Sequence, residues 1–201
     1  MPLGFNLSKY KTDEFIETGT FLGDGCYKAI KAGFKRIQSI EILEENFELS
    51  KDRLHKYLSG DEVDIKLHLG DSAEVLPEIL SDINWRCTFW LDGHGTAEHI
   101  RVLIEDGAEM VVPPGKGDCP LMEELDAIAN HHIRDHIIMI DDMRTIKGGS
   151  WGADRVTEES VLEKLTEINP LYDITYEDNN LAGHRNNIYS MYKNDCLIAS
   201  C

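Results

Sequence analysis

The sequence predicts an α/β domain of three layers: a doubly wound, mostly parallel sheet, helices on both faces, and an antiparallel hairpin at its end. Three observations predict it. Strand-like and helix-like segments alternate through most of the 201 residues, the pattern left by successive right-handed crossovers. The strand candidates are short and apolar without strict polar alternation, as strands buried on both faces are. The last strand-like pair stands around a Gly/Asn turn, as a hairpin does. The length suits a single domain spanning residues 1–201.

In chain order, residues 14–17 read as the first strand. The glycines of "TGTFLGDG" follow, and "CYKAIKAGF" opens a helix. "RIQSIEI" supplies a strand over 37–42, and "LEENFELSKDRLHKYL" has apolar residues at helical spacing. "DIKLHL" is a strand over 64–69. "SAEVLPEIL" starts with Ser72 as one candidate N-cap, Asp71 of "GDS" being the other, and has Glu74 two residues on. "CTFWLD" is a strand over 87–92, after which a long segment to Asp118 is expected to be partly helical and then turn-rich at "VVPPGKGD". "CPLMEELDAIANHH" has Pro120 at a first-turn position and Leu121, Leu125 and Ile128 on one face. "HIIMID" is a strand over 136–141. "TEESVLEKLTEI" is a helix capped by Thr157, with Glu158 and Glu159 suited to its dipole. "YDITYEDNNLAGHRNNIYSMYK" makes the hairpin.

Composition removes several classes. Acidic side chains number 37 against 20 basic, a net charge of -17. Phosphate backbones and anionic membranes want the opposite sign, so neither nucleic acid nor membrane is an expected partner. No apolar run reaches the ~18 residues of a membrane span, and the N-terminus lacks a signal peptide's apolar block. The expectation is a soluble cytoplasmic protein with a small neutral or cationic ligand; a homo-oligomer is left open. The 5 cysteines form no CxxC pair, so reduced thiols are expected, with Cys26 a packing residue rather than a nucleophile.

Glu17, Glu41, Asp71, Asp92 and Asp141 lie at or just past the ends of the five predicted parallel strands, where such folds bind ligands. Turn chemistry explains one such acid more readily than five. The glycine pattern Gly19-x3-Gly23-x-Gly25 departs from both phosphate-binding loops. Cys26-Tyr27 stands where a P-loop needs Lys-Ser/Thr, the G-x-G-x-x-G spacing is missing, and Glu17 would repel phosphate. A nucleoside-like ligand without phosphate remains.

In this order, "FIETGTFLGDG", "SIEI", "LHLGDSAEVLP", "FWLDGHG" and "HIIMIDDMR" make the chain resemble the class I S-adenosylmethionine-dependent methyltransferases, from residue 14 to about 145. The resemblance implies a Rossmann-like sheet and S-adenosylmethionine as cofactor. It places Glu17 at the cofactor's amino group and Gly19, Thr20 and Gly23 in the turn beside it. It places Glu41 on both ribose hydroxyls, Asp71 with Ser72 at the adenine, and Asp92 on the cofactor side. The glycine pattern is looser than the family's usual one: Thr20 replaces a small residue and Gly23 and Gly25 come late.

Asp92, Asp141 and Asp142 follow two strands that should be neighbours, and carboxylates so close need a proton or a cation between them. Oxygen ligands suit Mg²⁺, Ca²⁺ or Mn²⁺. The pattern resembles the metal-dependent small-molecule O-methyltransferases, including those acting on antibiotic sugars. That resemblance implies Asp92, Asp141 and Asp142 as ligands of a divalent ion such as Mg²⁺. The other reading makes Asp142 a helix cap and leaves Asp92 to the cofactor. His94, two residues past Asp92, is the expected base, with Asp92 the other catalytic candidate; the alternative is that His94 orients substrate or lines the cleft. Arg144 would bind an acceptor carboxylate or neutralise the aspartates, and Trp151 would close a loop over the acceptor. His132 and His136 are not expected to share a helix, so zinc is not expected, and His184-Arg185 reads as surface. The expected activity is methyl transfer to a hydroxyl of a small molecule such as a sugar, polyol or catechol. The alternatives are a lyase or hydrolase consuming the same cofactor, and a non-catalytic module that kept the fold.

Overall fold

The computed structural model describes residues 6–57, 63–94, 100–103, 109–112, 119–149, 156–181 and 190–201. Trp151, His184, Arg185 and the Pro113–Pro114 pair lie outside them. A 3₁₀ turn, Leu7–Tyr10, leads into β1 (Glu14–Thr18), α1 (Asp24–Lys31), β2 (Arg36–Glu41), α2 (Glu44–Tyr57), β3 (Asp64–Leu69) and α3 (Ser72–Ser81). Next come β4 (Cys87–Leu91), β5 (Ile100–Leu103), β6 (Glu109–Val112), α4 (Leu121–Asn130) and β7 (Ile137–Ile140). The chain ends with α5 (Met143–Lys147), α6 (Glu158–Ile168), β8 (Asp173–Leu181) and β9 (Ser190–Ser200).

Seven strands form one sheet in the order β3-β2-β1-β4-β7-β9-β8. The first five in that row are parallel; β9 runs antiparallel to both β7 and β8. The path winds outward from β1 to β3, then restarts at β4 on the other side, so the switch point lies between β1 and β4, where open α/β sheets form a ligand crevice. The absence of polar alternation has a direct cause. Phe15 packs with Cys26, Phe34 and Leu54 under α1 and α2, while its neighbour Ile16 packs with Leu76, Leu125 and Leu165 under α3, α4 and α6. Both faces of β1 are therefore apolar.

Of the two candidate N-caps of α3, Asp71 takes the place: its Oδ1 accepts from Ala73 N–H at 3.0 Å, and Ser72 is the first helical residue. A carboxylate one residue earlier competes well for the same orphan N–H groups. The segment expected to be partly helical carries instead the antiparallel pair β5–β6, in keeping with its β-branched "HIRVL" and "EMVV". Pro120 sits at the N-cap of α4 rather than inside its first turn.

α4 ends at Asn130, so His132 and His136 share no helix. Their region holds a different pair. Cys87 N–H donates to His136 Nδ1 at 3.0 Å, which leaves His136 Nε2 as the donor to His131 Nδ1, 2.8 Å away. His131 Nε2 then donates to the Ile83 carbonyl at 3.0 Å. Burial holds His136 down at about 4. The pair braces the amino end of β4 and β7, away from the strand-end carboxylates.

Candidate functional site

The site grows from the glycine turn after β1. Gly19 N–H and Thr20 N–H both donate to the Ile40 carbonyl, at 2.9 and 3.1 Å, which folds the turn over the end of β2. Gly19 has φ +79°, and a Cβ there would lie 2.3 Å from the Asp92 carbonyl oxygen. Only glycine lets the turn pass this close to β4 at the switch point. Glu17 is 2% exposed. Its Oε2 accepts from Ser39 Oγ at 2.7 Å and Cys26 Sγ at 3.1 Å, and Oε1 fills the space a Cβ on Gly25 would need. Burial pushes Glu17 up to about 7 against those two hydrogen bonds and pushes the Cys26 thiol up as well, as befits a packing cysteine. Thr20 Oγ1 meets Ser39 Oγ at 2.6 Å, and a Cβ at Gly23 would strike Leu54. Glu17, Thr20 and Gly23 thus act as internal struts of the turn. Gly19 lies at its partly exposed edge.

Glu41 ends β2. Its Oε2 accepts from Phe21 N–H at 2.8 Å and its Oε1 from Leu43 N–H at 3.0 Å, so one carboxylate ties the glycine turn to the start of α2. Burial raises it, although these backbone bonds oppose the shift. Asp71 caps α3 one strand further out and is exposed. Between them stand Ile42, 61% exposed, and Leu69, 47% exposed. Two bare apolar side chains beside two acids offer a platform for a flat ring.

On the other side of the switch point the acids converge. His94 Nε2 lies 3.0 Å from both Asp92 Oδ1 and Asp142 Oδ2. Burial opposes a charged ring there, but its bonds to Asp142 and Asp92 outweigh burial and push His94 up to about 10. The sequence expectation had His94 as the base. So placed, the ring carries its proton at neutral pH and acts as a donor and internal counter-ion. Asp141 is pushed up to about 8 by burial and by Asp92 and Asp142. Asp142 is held low against its own burial by His94 and Arg144. Repulsion among the acids is thus relieved by a proton on Asp141 and by two flanking cations. Arg144 Nη1 pairs with Asp142 Oδ1 at 2.5 Å and with Asp195, so of the two roles expected for Arg144 it fills the neutralising one. The carboxylates suit a hard divalent ion in kind, but the described residues that could hold one form two overlapping groups, Asp92–His94–Asp142 and Asp141–Asp142–Asp195, rather than the expected trio Asp92, Asp141 and Asp142.

No known family model matches the sequence, and no curated protein matches it. Solved structures do. A precorrin-6y C5,15-methyltransferase from Geobacter metallireducens aligns at TM-score 0.54 and 14% identity, over 96% of this chain and 84% of that one. An O-methyltransferase from Streptomyces achromogenes involved in tomaymycin synthesis, in complex with SAM, aligns at 0.53 and 15% identity, over 96% and 75%. An SAH-bound methyltransferase from Podospora anserina aligns at 0.53 and 12% identity, over 96% and 74%.

The chain has the class I methyltransferase fold. Near its strand-end carboxylates, two buried acids went unnoticed in the sequence. Glu124 is 1% exposed; it accepts from Ser72 Oγ at 2.6 Å and from Thr18, whose Oγ1 in turn accepts from Asp92 N–H at 3.2 Å. Its signal was available, since Leu121, Glu124, Leu125 and Ile128 follow i, i+3, i+4, i+7 and put the carboxylate in the apolar stripe. Asp195, also 1% exposed, is in phase with the buried Leu197 and Ala199 of β9. A cavity of about 10 Å³ lies among Gly93, His94, Glu124 and Asp141. A larger groove of about 520 Å³ runs between α3 and α4, past Pro77, Glu123, Asp126 and His132. No strand-end carboxylate lines it, so it is not the candidate site of this methyltransferase fold.

Proposed function

We propose that the protein transfers a methyl group from S-adenosylmethionine to a hydroxyl of a small molecule, of sugar, polyol or catechol type, with assistance from a divalent cation such as Mg²⁺. One observation carries this reading: Glu17, Glu41, Asp71, Asp92 and Asp141 stand at one edge of five parallel strands, around a glycine turn at the switch point. A carboxylate-rich rim favours a cationic sulfonium over a phosphate. Glu41 stands where a ribose diol would be bound, and the diol would replace part of the set of bonds its carboxylate accepts from Phe21, Leu43, Ile42 and Asn46. Ile42 and Leu69 flank a place for the adenine, with Asp71 and Ser72 beside it. Glu17, Gly19, Thr20 and Gly23 would shape the pocket for the amino-acid end.

At the reacting end, the Asp92–His94 pair would take the hydroxyl proton. Asp92, Asp141 and Asp142 would hold the cation, which when bound would supply a Lewis acid that makes the hydroxyl easier to deprotonate. Positioning of this kind is worth roughly 7–11 kcal/mol in well-oriented reactions. A second reading, a non-catalytic module on the same fold, is favoured by one feature: Glu17, Thr20 and Glu41 are already satisfied inside the protein.

Thermal unfolding with S-adenosylhomocysteine separates the two, because a ligand bound only by the folded state raises Tm. The wild type is expected to shift. E41A should abolish the shift, and D141A should spare it while removing any further rise on adding Mg²⁺. A wild type that ignores S-adenosylhomocysteine leaves the non-catalytic reading standing.

A further inference from the structure

Asp142 stands at the head of α5 with φ 56°, and its side chain makes no cap bond. An N-cap aspartate with an extended backbone turns its carboxylate back onto the first N–H groups of the helix; the left-handed backbone of Asp142 aims it elsewhere. Here the acceptor comes from another strand. Arg144 N–H donates to Asp195 Oδ1 at 3.0 Å, and the Arg144 guanidinium binds Asp195 Oδ2 together with Asp142 Oδ1. The second oxygen of Asp142 is thereby free to lie 3.0 Å from His94.

Asp195 reaches this place through an irregularity in β9. Glu177 pairs with Cys196 and Asn179 with Tyr192, so Lys193, Asn194 and Asp195 stand opposite Asp178 alone. Asn194 takes φ 53°, and its N–H donates to Asp178 Oδ1 at 3.0 Å. Bulges of this kind re-aim side chains beside sites. The Tyr192 ring lies 4.3 Å from the guanidinium carbon of Arg144 and holds it from the other side.

We propose that Asp195 is a positioning residue: re-aimed by the bulge in β9, it caps α5 and clamps Arg144, and so keeps the Asp142 carboxylate turned toward Asp92 and His94. The inference rests on the reading of Asp142 as part of the acceptor site. Without Asp195, Arg144 loses its second carboxylate, and the Asp142 carboxylate is no longer held toward His94.

The test uses D195N and R144K in the full chain, with Mn²⁺ as a paramagnetic probe and the ring ¹⁵N signals of His94 as a metal-free readout. Both variants should keep the wild-type thermal shift with S-adenosylhomocysteine, whose expected pocket lies at β1–β3. Mn²⁺ affinity should fall by about 10–100-fold, the usual cost of losing a partner behind a ligand, and the His94 signals should move. Unchanged Mn²⁺ affinity with unchanged His94 signals in either variant overturns the proposal. If the wild type does not bind Mn²⁺, the metal reading fails by itself, and the His94 signals alone decide the role of Asp195. If D195N does not fold, R144K, which cannot fork between two carboxylates, gives the answer.

Discussion

A single missing methyl group decides where Glu17 sits. A Cβ on Gly25 would lie 1.6 Å from Glu17 Oε1, so the third glycine of the turn serves a carboxylate of the protein itself. Spacing showed that the glycines mattered, but the partners they make room for come from β4, α2 and β1 and have no local signature. Glu124 is the other lesson at this scale. Burial pushes it from the ordinary 4.5 up to about 7, against its bonds from Ser72 and Thr18. Between those two values the folded state holds a proton that the unfolded state has released. Its stabilising effect is therefore full below about 4.5 and is lost as the pH rises through about 7. At full burial the effect is on the order of 3 kcal/mol. E124Q should flatten this part of the curve in urea unfolding across that window, and an unchanged slope would show that Glu124 does not titrate there. His136 works in the opposite sense: held at about 4 against an ordinary 6.5, it costs stability as the pH falls. The comparison of E124Q with wild type is thus more telling than either curve alone.

Among the elements, the five parallel strands and the helices between them were legible because each carries its own periodicity and its own punctuation. α6 shows why. Thr157 Oγ1 accepts from Ser160 N–H and Ser160 Oγ accepts from Thr157 N–H, each at 3.0 Å, a reciprocal cap written in four consecutive residues. T157A should cost about 1 kcal/mol in chemical denaturation, and a loss within error would mean that α6 is held by packing of Val161, Leu165 and Ile168 alone. The N-cap of α3 stayed undecided between Asp71 and Ser72 because both are good caps and the choice depends on Glu124, which draws Ser72 away. The bulge in β9 was invisible for a stronger reason. An offset in pairing is a property of two strands, and neither "YEDNN" nor "YKNDC" announces it.

For the whole molecule, charge is the property read most directly. With a net charge of -17, the chain should show no retention of DNA or RNA oligonucleotides in fluorescence polarisation at low salt, where phosphate contacts are strongest. Tight, salt-sensitive binding would point to a basic surface that composition conceals. By itself the sequence determined the alternation of strands and helices, the terminal hairpin and the row of acids at strand ends, because these follow from short-range periodicity and from residue type. Only the tertiary structure decided that Glu17 points under α1, that His94 bridges Asp92 and Asp142, and that Asp195 reaches Arg144. Those are meetings between side chains set far apart in the chain, and they are fixed by strand order, register and close packing, none of which a local stretch of residues encodes.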